Sequence, residues 1–204
     1  MAFKSKIVIT CMMFLSMFLT ASKDVDEESR IAASADKVLG VILSMPPWYQ
    51  DVEAPDREVH LYSVAEAIAK ATDEPLEQAA LIALAYEESK MALFVVGGRC
   101  LEGPAGARCD NGRARGVWQL WKVACPSAYE FPAGSYQSTV AEAKCAIRLL
   151  RGGKHRCRGM NPAGDWAGAF SAYAGGASCQ RPKSAGRQKT MWSVLHKLNT
   201  YKEE

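Results

Sequence analysis

The sequence predicts a mainly α-helical, disulfide-stabilised domain with a small loop or hairpin region, and three observations carry that prediction. Apolar residues recur at helical rather than alternating spacing in six separated stretches. Six cysteines, Cys100, Cys109, Cys125, Cys145, Cys157 and Cys179, form an even set in the second half. A chain of 204 residues with 49% apolar and 23% charged residues has enough material for one sizeable core.

The N-terminus reads as an export signal. Lys4 and Lys6 precede an uncharged, largely apolar run from Ile7 to Ala21, and acids follow from Asp24 to Glu28. The run is shorter than the roughly 20 apolar residues that span a bilayer, so residues 1–22 are expected to be removed, and membrane contact is expected only if they stay. Cys11 would leave with them. The remaining six cysteines then imply three disulfides in an exported protein, with nearest neighbours in sequence paired: 100 with 109, 125 with 145, and 157 with 179. With no close Cys-x-x-Cys pair and only three histidines, neither a metal site nor a cofactor is expected.

Ser29 to Ser44 has Ile31, Ala35, Val38, Leu39 and Ile42 at helical spacing and stops at Met45-Pro46-Pro47. Trp48 to His60 lacks a period and reads as an irregular connection, so residues 23–58 are expected to form a helix and linker ahead of a main domain, 59–204. Ser63 and Glu66 have capping-box spacing before a short helix to Thr72. Asp73-Glu74-Pro75 then opens a helix from Leu76 to Lys90 that is apolar nearly all round, as a helix through the middle of a core must be. Gly97 to Arg115 is Gly-, Arg- and Cys-rich and reads as a long loop or small hairpin. Thr139 and Glu142 suggest a second capping box for a helix closed by Gly152-Gly153. Trp166, Phe170 and Tyr173 share one face of a helix from Asp165 to Gly175-Gly176, and Met191, Val194, Leu195 and Leu198 share one face of a last helix from Gly186 to Asn199.

Charge divides along the chain. Residues 1–98 hold 8 Lys+Arg against 15 Asp+Glu, and residues 99–204 hold 17 against 7. A basic second half attracts anionic polymers. Outside the cytoplasm these are cell wall or anionic lipid, and no nucleic acid is expected.

A carboxyl at the end of a buried helix can have its pKa raised by desolvation and so serve as a proton donor. Glu88 continues the stripe of Leu81, Leu84 and Ala85, and Glu87 that of Ala80, Ala83 and Leu84, so periodicity does not choose between them. Three segments in order then carry a resemblance: Ala80-Leu-Ile-Ala-Leu-Ala-Tyr-Glu-Glu88-Ser89, Ala114-Arg-Gly116-Val-Trp-Gln119-Leu120, and Ala172-Tyr173-Ala174-Gly175-Gly176. They resemble the Glu-Ser, Gly-Leu-Met-Gln and Ala-Tyr-Asn-Ala-Gly motifs of the soluble lytic transglycosylases and goose-type lysozymes, over Ser63 to Leu198. The resemblance implies a lysozyme-like fold, Glu88 as acid/base, Tyr173 orienting it, and Ser89, Gly116 and Gln119 lining a sugar cleft. Trp118 stands where the family has methionine and reads as core. Ala174 replaces the family's asparagine, and the Cys100 to Cys109 stretch lengthens the interval between the first two motifs.

The activity so implied is cleavage of peptidoglycan glycan strands between N-acetylmuramic acid and N-acetylglucosamine, outside the cytoplasm, leaving 1,6-anhydro ends. Inverting hydrolysis would need a second carboxylate about 6.5–9.5 Å from the first, for which Asp110 is the candidate. Cys109-Asp110-Asn111-Gly112 is equally a plain turn sequence. A lysozyme-type hydrolase and a non-catalytic wall-binding protein are the competing readings. Oligomeric state is not legible.

Overall fold

Seven consecutive side chains, Ala79 to Ala85, are 0% exposed, and the helix that carries them, α3 (Pro75–Ser89), runs buried through the hydrophobic core. The computed structural model describes residues 25–47, 54–96, 113–176 and 178–201. The expected signal segment 1–22, the expected Cys100–Cys109 bridge and Asp110 lie outside the described residues.

Before α3 come α1, helical over 25–43, and α2 (Arg57–Ala71). After it come the single turn α4 (Leu93–Val96) and a two-residue hairpin, β1 (Ala114–Arg115) with β2 (Leu120–Trp121), antiparallel with Arg115 opposite Leu120. A 3₁₀ turn (Pro126–Glu130), α5 (Tyr136–Arg156), α6 (Asp165–Gly175) and α7 (Ser184–Thr200) follow. The fold is mainly helical. α3 packs chiefly against α7, and α5 packs against α2 and α6. Leu81, Ile82 and Leu84 are fully buried, each contributing about 1.5–3 kcal/mol of transfer free energy. Among the described residues no helix is long and apolar enough to cross a membrane.

Several boundaries differ from the sequence reading, each for a local reason. α1 is not a separate piece, since Val38, Val41 and Ile42 join the same core as α3, and Gly40 lets the Tyr201 ring lie where a β-carbon would be. α2 begins at Arg57 rather than Ser63. Its buried stripe already includes Leu61, and the Ser63 hydroxyl donates back to Val59 O (3.0 Å) from inside the helix. In α5 the N-cap is Ser135, whose Oγ accepts from Ser138 N–H (3.2 Å). Thr139 and Glu142 therefore do not form a capping box. Gly152-Gly153 does not end α5, which runs on to Arg156. Gly153 is there because a β-carbon would press on Ala169 O and Ala172 Cβ at 3.0 and 3.1 Å.

Two of the three expected disulfides are present, Cys125–Cys145 and Cys157–Cys179, closing stretches of 20 and 22 residues. Loops of that length correspond to about 3 kcal/mol each if restriction of the unfolded chain dominates. Such bonds persist in oxidising compartments.

The two glycines of α5 give a matched test. Gly152→Ala, with nothing within 4 Å of the new methyl, should hold or raise Tm, because alanine is the better helix former by about 1 kcal/mol. Gly153→Leu should lower stability by about 1–3 kcal/mol through overpacking. Equal melting temperatures for the two variants would contradict the close α5–α6 approach.

Candidate active site

The fold brings the second motif onto the end of α3 and holds it there through side chains from three helices. Gly116 N–H donates to Val96 O (3.0 Å). Val117, 0% exposed, has both backbone groups met by buried side chains: its N–H donates to Glu142 Oε2 (3.0 Å), and its carbonyl accepts from Ser89 Oγ (2.6 Å). Trp118 O accepts from the Tyr173 hydroxyl (2.6 Å), and Trp118 Nε1 donates to Leu81 O (3.0 Å). Gln119 sits at φ +48°, a left-handed conformation uncommon for a residue with a β-carbon, and its Nε2 donates back to Gly116 O (2.9 Å).

These contacts sort the expected site residues. A groove of about 660 Å³ is lined by Glu88 from α3, Gln119 to Trp121 from the hairpin, Val123, Ala124, Leu149 of α5, Tyr173 and Ala174 of α6, Gly176, Arg181 and Arg187. Glu88, Gln119 and Tyr173 therefore meet at one place. Glu87 turns away, its Oε1 accepting from Thr190 Oγ1 (3.1 Å), so of the two glutamates that periodicity left open Glu88 is the one that lines the groove.

Ser89 and Gly116 do not line the groove. Ser89 is fully buried because its hydroxyl ties α3 to Val117, and Gly116 is glycine because φ is +79° and a β-carbon would overlap the Glu142 carboxylate. Trp118 is core at 0% exposure, as its sequence context suggested. Gln119 reaches the groove with its NH₂ committed to the turn, and its Oε1 is buried with no hydrogen-bond partner among the described residues. The Tyr173 hydroxyl spends its one proton on Trp118 O, so toward a neighbour it can only accept.

The environment of Glu88 also differs from the burial expected of it. Its side chain keeps 20% exposure and pairs with Arg187, Nη2 to Oε1 at 2.6 Å. Tyr173 stays a neutral phenol: burial first, then the fields of Glu88 and Glu142, push its ionisation well above the ordinary tyrosine value.

Glu142 and Arg187 are the site residues that sequence reasoning missed. Glu142 is 1% exposed, and burial pushes its carboxyl up to about 7 against the pull of Ser138 Oγ, Val117 N–H and the charge of Arg115. A lone glutamate in a helix register otherwise filled by Ser138, Ala146 and Leu150 was the available signal. Arg187 had none, since its partner lies on a helix far away in sequence.

The disulfides anchor walls of this groove to α5 at Cys145 and to its C-cap at Cys157. Cys125 follows Val123 and Ala124, and Cys179 precedes Arg181. Among the described residues no group of three or more His, Cys, Asp or Glu is placed to hold a metal ion. A second hollow of about 410 Å³, between α1 and the end of α2, gathers none of the motif residues. No protein-family model matches the sequence, and no curated protein or solved structure matches it.

The buried glutamate sets a pH dependence. Because its folded-state ionisation near 7 lies above the roughly 4.3 of an unfolded glutamate, the folded protein holds a proton that the unfolded chain has lost. Glu142 therefore makes stability fall as pH rises through about 4.5 to 7. Glu142→Gln, which keeps an acceptor for Val117 N–H, should flatten that fall in a plot of Tm against pH. An unchanged slope would contradict the assignment.

Proposed function

We propose that the protein is an exported lytic transglycosylase with a lysozyme-like fold, working in the periplasm or outside the cell on the bond between N-acetylmuramic acid and N-acetylglucosamine. The observation that carries the reading is the meeting of Glu88, Gln119 and Tyr173 along one groove, from three segments that resemble the lytic transglycosylase motifs in order. The helical architecture and the disulfides agree with it, and the basic second half suits an anionic wall.

The groove supplies one carboxylate among its described lining residues, Glu88. One is enough for this chemistry. Protonated Glu88 donates to the glycosidic oxygen as the bond to the muramoyl anomeric carbon breaks. The resulting carboxylate then removes the proton of the C6 hydroxyl on the same sugar, and that oxygen closes onto the anomeric carbon. No water is consumed, and Glu88 ends protonated as it began. Tyr173, neutral and fixed by Trp118 O, offers Glu88 a rigid neighbour. The turn bearing Gln119 forms the facing wall.

Digestion of purified peptidoglycan with mass spectrometry of the fragments tests this directly. Products should be lighter by one water than those of hydrolysis. Glu88→Gln should lose about 10²–10⁴ in rate while keeping its fold, and Glu87→Gln, whose carboxyl faces Thr190, should retain most activity. Reducing ends in place of anhydro ends would move the protein to the hydrolases. Full activity of Glu88→Gln would remove it from the reaction.

A further inference from the structure

α5 turns one side to solvent, and that side is basic. Lys144, Arg148, Arg151 and His155 follow one another at helical spacing along about 17 Å of exposed stripe. Arg156, exposed two turns beyond the groove-lining Leu149, widens the stripe on the groove side. The one acid of the helix, Glu142, is 1% exposed and gives this surface no negative charge. Arg151 is met by Glu77, its Nε and Nη2 donating at 2.8 and 2.6 Å. Among the described residues no carboxylate pairs with Lys144, Arg148 or Arg156.

Beside the stripe stands a rigid apolar tip. Trp121 and Val123 are 44% and 87% exposed and flank Lys122, which is exposed as well. The Trp121 carbonyl accepts from Ala124 and Cys125 N–H (both 3.0 Å), Cys125 is bridged to Cys145 of α5, and Arg148 Nη2 donates to Ala124 O (3.4 Å). These bonds hold the tip against the basic stripe, where it also forms one rim of the groove.

Exposed apolar side chains edged by cations without acidic partners suit a bilayer interface, where valine and indole enter the acyl boundary while Lys and Arg meet lipid phosphates. A hydrated polyanion would match the cations but leave Val123 in water, so the charge and the apolar tip together favour lipid over a soluble anionic polymer. We propose that the exposed face of α5 and the Trp121–Val123 tip form a docking surface for an anionic phospholipid membrane. Contact with lipid is then a property of the folded domain and does not depend on residues 1–22. It places one rim of the groove at the bilayer, so the groove opens toward material lying next to the membrane. The inference is independent of the chemistry read at Glu88.

The test is co-sedimentation of the full chain with vesicles of phosphatidylcholine, alone or with an equal part of phosphatidylglycerol. The anionic vesicles should bind more protein than the neutral ones, and that excess should shrink as salt rises. Lys122→Gln, Lys144→Gln and Arg156→Gln combined should weaken binding about fivefold for each cation removed. Arg30→Gln, Lys37→Gln and Lys189→Gln combined, which remove the same charge from α1 and α7, should leave it nearly unchanged. Val123→Ser should weaken it too. The altered residues of the stripe and tip are all exposed, so these variants keep the fold. Phosphatidylglycerol brominated on its acyl chains should quench indole emission, and the quenching should be lost in Trp121→Phe but kept in Trp192→Phe, which removes the exposed indole of α7. Equal losses in the two triple variants, wild-type binding by Val123→Ser, or quenching that survives Trp121→Phe would each overturn the docking surface.

Discussion

Two residues of the turn between the strands, Val117 and Trp118, are held by side chains from α3, α5 and α6 together, and that clamp fixes the wall of the groove that Gln119 lines. Ser89 takes the Val117 carbonyl, Glu142 its N–H, and Tyr173 the Trp118 carbonyl. Each such bond contributes about 0.5–1.5 kcal/mol net, and more would be lost if a buried partner were left unmet. Together they offset a left-handed Gln119, a conformation that costs about 1–2 kcal/mol. Regular structure cannot do this job. The hairpin has two residues in each strand, too few to fix a turn by its own ladder.

The clamp explains why some residues of the site lie outside the groove. Ser89 and Glu142 act one layer down, holding the wall on which Gln119 sits, and Tyr173 belongs to both layers. Glu142 must be polar to meet Val117 N–H, and it pays for its burial in ease of ionisation, which is why it is the carboxyl pushed up to about 7 while Glu88, nearer to water, pairs with Arg187. The two disulfides extend the same logic outward, tying the segments on either flank of the groove to α5 and to its C-cap.

Helices with long apolar runs were legible in the sequence because burial on every side leaves a pattern that no alternative structure shares. α3 is the clearest case, found within a residue or two of where periodicity puts it. Thr139 and Glu142 misled because capping-box spacing is also the spacing of one face inside a helix, and only the tertiary position of Val117 tells the two apart. Gly152-Gly153 misled for a related reason: glycine marks a helix end or a close crossing, and α6 decides which. Which of Glu87 and Glu88 lines the groove is decided at α7, whose Thr190 pairs with the first and whose Arg187 pairs with the second. What the sequence left unread were pairings between side chains distant along the chain.

Amide hydrogen exchange at Val117 tests the clamp most directly, because that N–H is bonded to a side chain rather than to a helix or a sheet. In the wild type it should exchange as slowly as the amides at the middle of α3, and Glu142→Ala should accelerate it selectively in a protein that remains folded. Exchange of the wild-type Val117 amide at the rate of an exposed loop would contradict the account.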